Sequence, residues 1–241
     1  MSSRRFNLIG NGRAGGALRL ALIESGWECQ NILGRNDDLG GAANDVDVCI
    51  IATPDDVVQE VASRIDPGNA VVLHLSGALG LDVLGVHRAA ALHPLMTLAA
   101  QESGAVRLRS CYFAVAGDPL ATEIAELLSG LHFEIADEDR ARYHAAAAIA
   151  SNHLVAVLGQ VERLAVGLGV PFEAFLPMVE ASLENVAQLG PRDALTGPAA
   201  RGDMATIERH RAALAESHAE ELAGYDALVE RAFRLAHSDQ E

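Results

Sequence analysis

The chain has 241 residues, half of them hydrophobic, and its 33 acidic residues outnumber 18 basic ones to give a formal net charge of -15. That length suffices for one large domain or two smaller ones with real cores, while the acidic surface excludes nucleic acid and anionic membranes as general partners. Every basic residue is arginine, so Schiff-base chemistry and a lysine acid are ruled out.

Cys29, Cys49 and Cys111 are widely spaced and form no paired motif, which argues against a disulfide framework or a zinc site. The opening MSSRRF runs straight into a strand-like segment, and no apolar run reaches membrane-spanning length. The expectation is a cytoplasmic protein.

Taken in order, RFNLIG (residues 5–10) reads as a strand and RAGGALRLALIESG as a helix stopped by Gly26. ECQNILGR is a second strand. DVDVCIIAT (residues 45–53) is a third, closed by Pro54. DDVVQEVASRI is a helix and AVVLHLSG (residues 70–77) a strand. AAALHP and RSCYFAVAG add two more, and DPLATEIAELLSGL is a helix before HFEIAD. Near-continuous apolar strands separated by helices predict a parallel sheet covered on both faces. From Glu138 to Gly169 the pattern is one long alanine-rich helix, and helical spacing then continues past Pro171 and Pro191. The predicted fold is α/β: a parallel-sheet domain over residues 1–137, followed by an all-helical domain over 138–241.

Gly10-Asn11-Gly12-Arg13-Ala14-Gly15 matches G-x-G-x-x-G between a strand and a helix. In that setting the first glycine permits the tight turn, the second lets backbone approach a pyrophosphate, and the third lets helix pack on strand. The helix start then offers N–H groups and a positive dipole end to phosphate. The second strand ends in Gly34-Arg35-Asn36, where an acidic residue would hold the ribose of NAD. Arginine there suits a 2′-phosphate, so the expected cofactor is NADP, with Arg35 and Asn36 at its adenosine end. Ala52, Thr53 and Pro54 close the third long strand and Ser76 the next. Strand carboxyl ends are where open α/β sheets bind ligands, so these residues are expected on the nicotinamide side.

GNGRAG, GRN, IIATPDD, LHLSG, LHPL and HAAAAIASNHL follow one another in an order that resembles the Rossmann-like oxidoreductases with a 6-phosphogluconate-dehydrogenase-like helical C-terminal domain. That group includes prephenate dehydrogenase, ketopantoate reductase and pyrroline-5-carboxylate reductase. ALTGPAARGD (residues 194–203) resembles a second signature of a bacterial branch whose C-terminal half is a domain of unknown function. The resemblance covers nearly the whole chain. It implies hydride transfer between NADPH and a small substrate, and a homodimer formed through the helical domain. In the β-hydroxyacid branch a lysine stands four residues before a helical asparagine. Asn152 matches the asparagine here, but Ala148 stands at the lysine position.

The candidate chemistry gathers around that helix. Hydride transfer to a carbonyl leaves an alkoxide that needs a proton or a polar clamp, and histidine suits the task near neutral pH. His144, Ser151 and Asn152 share one face of a regular helix, with Ala148 between them. They would act as acid, substrate contact and carbonyl clamp, or equally form a close helix–helix contact. His93, beside Pro94 at a strand end, is either a cleft residue or a structural one. His74 reads as buried and satisfied. In the Gly/Pro-fixed loop, Arg201 and Thr196 are candidates for a substrate carboxylate, with an ion pair as Arg201's alternative. Asp203 reads as a helix cap. The expected function is an NADP-dependent oxidoreductase acting on a small carboxylate-bearing carbonyl or alcohol, such as a ketopantoate-type 2-oxo acid. The competing reading is a non-catalytic NAD(P) sensor.

Overall fold

The apolar runs of the first half assemble into a seven-stranded sheet of order β2-β1-β3-β4-β5-β6-β7. Its strands are β1 (Arg5–Ile9), β2 (Glu28–Leu33), β3 (Val48–Ile51), β4 (Val71–His74), β5 (Arg88–Pro94), β6 (Phe113–Gly117) and β7 (His132–Glu134). Helices α1 (Arg13–Glu24), α2 (Val58–Ser63), α3 (Gln101–Leu108) and α4 (Leu120–Leu128) connect them. The computed structural model describes residues 3–237 and divides into two units, one ending at Asn152 and one starting at His153.

Alternation along the strands builds two cores. Leu8, Ile50 and Leu73 pack with Leu18, Leu22 and Phe113 on one face. Their neighbours Ile9, Ile51 and Val72 pack with Leu39, Val58 and Leu84 on the other. β3 and β4 are buried at every position, which is why they read as unbroken apolar runs. Each such side chain contributes about 1.5–3 kcal/mol of burial.

Two strands depart from the predicted parallel sheet: β6 runs antiparallel to β5, and β7, parallel to β6, shares its reversed direction. The segment between β5 and β6 leaves the sheet through α3 and returns to the same edge, where the Leu95 N–H donates to the Tyr112 carbonyl at 2.8 Å. A parallel strand would need a crossover to the opposite edge, and this excursion does not make one. No strand follows β7 among the described residues.

The first unit includes α5 (Arg140–Ala148) and runs on to Asn152, past the Asp137 boundary read from the strand signals. The predicted single helix over 138–169 is broken by a π turn at Ile149–His153, after which α6 (Leu154–Ala165) resumes. The second unit continues with α7 (Leu176–Ala194), kinked at Gly190 before Pro191, then α8 (Pro198–Arg201), α9 (Met204–Ser217) and α10 (Leu222–His237). Within it Arg163 pairs with the buried Glu221. Asp203 caps α9, accepting from the Thr206 N–H at 3.0 Å, as its loop position predicts. No described helix is long and apolar enough to cross a membrane. All three cysteines are free, Cys49 and Cys111 buried and Cys29 half-buried.

Candidate active site

Parallel pairing of β1, β3, β4 and β5 puts their carboxyl ends on one edge of the sheet. The chain leaves β1 toward β2 on one side, and β3 pairs with β1 on the other. That reversal opens the crevice where such sheets bind ligands. Gly10 to Gly15, Ala52 to Asp55, Ser76 to Gly77 and His93 all lie at this edge.

The three motif glycines meet different physical demands. Gly10 has φ +93, and a Cβ there would sit 2.7 Å from the Ala52 carbonyl oxygen. A Cβ on Gly15 would strike the Gly10 carbonyl and stand 2.7 Å from the Ala52 Cβ, so glycine lets α1 lie directly on the β1–β3 edge. Around Gly12, by contrast, a Cβ would meet nothing within 4 Å. That glycine opens onto free space, as backbone approach to a pyrophosphate requires. Gly12 is also the N-cap of α1; it offers no side-chain cap, and the first turn holds no acidic residue. The helix thus presents its N–H groups and positive end to an incoming anion. Asn11 and Arg13 are exposed beside it and Ala14 is half-buried. The Gln101 amide donates to the carbonyls of Asn11 and Gly12 at 2.9 and 3.2 Å, tying α3 to the loop. Nothing in the linear sequence pairs Gln101 with a motif so far upstream.

Beyond β2, Arg35 and Asn36 are exposed. Their loop is held twice. The Gly34 N–H donates to Asp37 Oδ2 at 2.6 Å, and Arg64, just past α2, donates to the carbonyls of Arg35 and Asp37 at 3.4 and 2.8 Å. Arg64 is a second residue missed by sequence reasoning, again because its partners are distant in the chain.

At the other end of the edge, Ser76 donates its hydroxyl to Asp55 Oδ2 at 2.7 Å and accepts from the N–H groups of Ala78 and Leu79. Pro54 is exposed, and the Thr53 hydroxyl is buried without a protein partner. His74 is fully buried and satisfied, with Nε2 on the Gly80 carbonyl and Nδ1 accepting from the Ser76 N–H. Burial, aided by the Arg140 charge, pushes its pKa down.

His93 forms the centre of a ring cluster. Its Nδ1 is 2.7 Å from the Tyr143 hydroxyl, and its ring meets Tyr143 and His144 edge-on at 5.5 and 5.8 Å. A Cβ on Gly77 would lie 2.8 Å from His93 Nε2 and 2.9 Å from His144 Cδ2, so the glycine lets both rings close on the β4 end. Burial, and after it the neighbouring His144, drive the His93 pKa down to about 4, so the ring is neutral at pH 7. Burial also pushes the Tyr143 phenol up to about 12. Beneath them Arg140 is fully buried. Its Nε donates to Asp137 at 3.0 Å, while Nη1 and Nη2 find no protein acceptor.

The structure therefore brings His93 and His144 together, with Tyr143 and Arg140, which the sequence did not single out. The uniform helix face proposed for His144, Ser151 and Asn152 does not survive, because the π turn over Ile149–His153 inserts a residue and breaks the even spacing. Ser151 turns its hydroxyl back onto the Ala147 carbonyl at 2.7 Å, and Asn152 is exposed. Thr196 and Arg201 are exposed residues of the second unit.

The family model described as a domain of unknown function, DUF2520, matches residues 111–232. No curated protein matches the chain. Among solved structures, a presumed NADP oxidoreductase from Bacteroides fragilis aligns with a TM-score of 0.81 at 21% identity, covering 96% of this chain and 98% of its own. A Thermotoga maritima protein aligns at 0.75 and 24% identity over 97% and 98% of the two chains. A reductive aminase from Aspergillus terreus, solved with NADPH and ethyl levulinate, aligns at 0.72 and 16% over 100% and 97%. At such identities the likeness shows the fold, a Rossmann-like sheet domain followed by helices.

Proposed function

Because the chain belongs to the DUF2520 family, whose description carries no activity, we propose its function from the site: a cytoplasmic NADP-dependent oxidoreductase acting on a small carbonyl or alcohol that bears a carboxylate. The observation that carries this reading is the division of labour among Gly10, Gly12 and Gly15, two of them jammed against Ala52 and one open to an incoming pyrophosphate. The names of the structural neighbours point the same way.

The reduced nicotinamide, when bound, supplies hydride. The chain's own groups do the rest. Backbone N–H groups from Gly12 onward, with Asn11, Arg13 and Ala14, hold the pyrophosphate, and Arg35 and Asn36 take the 2′-phosphate. Ala52, Thr53, Pro54 and Ser76 line the nicotinamide end, where the unpartnered Thr53 hydroxyl has a bond to give. His93 and His144 face the reacting oxygen. Asn152 and Ser151 are proposed substrate contacts, and Arg201 and Thr196 the proposed carboxylate contacts. A ketopantoate-type 2-oxo acid fits this chemistry. We also propose a homodimer through the helical unit: residues 181–189 of α7 are all exposed, including Leu183, Val186 and Leu189. Such an apolar stripe is costly to leave in water.

Titration with NADPH and NADH, followed by a panel of 2-oxo acids with nicotinamide absorbance as readout, tests the reading. Tighter binding of NADPH together with turnover is expected. Binding without turnover across the panel would favour the sensor, the reading supported by Ala148 at the position of the β-hydroxyacid branch's lysine. Preference for NADH would overturn the NADP assignment.

A further inference from the structure

We propose that Tyr143 is the proton donor of this reaction, with His93 as its hydrogen-bonded partner. The inference rests on the oxidoreductase reading and names the group that a lysine supplies elsewhere. Hydride arriving at a carbonyl carbon moves the π electron pair onto oxygen, and that oxygen must take one proton. With no lysine in the chain, the candidate donors at this sheet edge are His74, Ser76, His93, Tyr143 and His144; the Thr53 hydroxyl is a far weaker acid with no hydrogen-bonded partner to support an alkoxide.

Three of these are occupied or uncharged. His74 spends both ring nitrogens on backbone groups. Ser76 gives its proton to Asp55. His93 is neutral at pH 7 because burial and the facing His144, Arg140 and His74 oppose its charge more than Asp55 favours it. Tyr143 is different. Its ring is pinned edge-on between His93 and Phe133, at 5.5 and 5.8 Å, so its hydroxyl is fixed in direction. In the tautomer that carries its proton on Nδ1, His93 donates to the phenol oxygen, 2.7 Å away, and the phenol O–H is free to donate to a substrate oxygen. The phenolate left behind keeps the His93 bond.

Arg140 supplies the charge. It lies one turn earlier on α5, fully buried, with two guanidinium nitrogens lacking any protein acceptor. A buried cation with open donors is costly alone and stabilises a neighbouring anion. Its charge acts on Tyr143 in the direction that favours the phenolate, against burial and the Cys111 thiol. The step balances: the Tyr143 O–H bond breaks, an O–H bond forms on substrate, the C=O becomes CH–OH with hydride from the reduced nicotinamide, and solvent returns the proton to the phenolate.

The test compares wild type with Tyr143→Phe, using NADPH and the 2-oxo acid panel. The variant keeps the ring contacts and loses only the hydroxyl. The expected result is a kcat lower by about 10²–10⁴-fold, with the NADPH Kd and KM within about twofold. Wild-type kcat should stay flat from pH 6 to 9, because the donor remains protonated throughout. The wild-type-minus-variant absorbance of tyrosinate should titrate near pH 12. A variant turning over within about threefold of wild type overturns the proposal and leaves the oxidoreductase reading standing. So does a wild-type kcat that falls as pH rises through the imidazole range, which marks an imidazole as donor and decides the matter even if the variant does not fold. NADPH binding without any wild-type turnover sinks both readings together.

Discussion

Acidification should destabilise the first unit through His93, by an amount that follows from its surroundings. In the unfolded chain an imidazole titrates near 6.5, whereas burial among His144, Gly77 and Tyr143 brings it to about 4 in the fold. Between those values the unfolded chain holds a proton that the folded one does not, so stability rises with pH across that window. The contribution is complete above 6.5 and is lost as pH falls toward 4. For one such group the loss between pH 7 and pH 5 is about 2 kcal/mol. The measurement is the unfolding free energy by urea at both pH values, in wild type and in His93→Gln. Carboxylates and His74 titrate in both proteins and cancel in the difference. Wild type should lose about 2 kcal/mol more than the variant over that interval, and the His93 proton resonance should titrate near 4. If both proteins lose the same amount, or His93 titrates above 6, the reasoning fails.

Gly10→Ala combines φ +93 with a Cβ 2.7 Å from the Ala52 oxygen, and should cost about 2 kcal/mol or more of stability; a urea midpoint matching wild type would contradict that geometry. Arg64→Gln releases the carbonyls of Arg35 and Asp37, and should weaken NADPH about tenfold, equal to about 1.4 kcal/mol, with NADH unchanged. Equal weakening of both cofactors would show that the loop does not serve the 2′-phosphate. Asp203→Ala removes the α9 cap and its second bond to the Thr206 hydroxyl; the expected loss is about 1 kcal/mol, read by thermal unfolding, with the NADPH Kd unmoved.

What was legible in the sequence was what local chemistry decides. β3 and β4 read as strands because every residue in them is buried. The glycine motif was readable because a strand precedes it and a helix follows. Asp203 was readable as a cap because capping is satisfied within three residues. α3 was not. Its Gly104 looks like a helix breaker, yet a Cβ there would stand 2.8 Å from the Ala17 Cβ on α1. That glycine exists for the contact between two helices, and the reason appears only when both are in place. The π turn is similar. AAAAIASNH carries no local signal for an extra residue in the helix, so the run reads as regular until the surrounding fold imposes the insertion.

The ring cluster marks a different limit. His93 and Tyr143 are 50 positions apart, and no periodicity connects a strand end to a helix in a later part of the chain. One cue did exist in composition. Phe, Trp and Tyr make up only 4% of the sequence, and the cores are built mostly from aliphatic residues, with Phe6, Trp27 and Phe113 on one face of the sheet. Against that background Tyr112, Phe133 and Tyr143 form an unbroken series of ring contacts leading to His93 and His144. A chain with so few aromatic rings that lines up three of them beside two histidines and a buried arginine is fixing the direction of polar groups. An aliphatic side chain would fill the same volume. It would leave the Tyr143 hydroxyl without a rigid support, and a proton donor depends on that support.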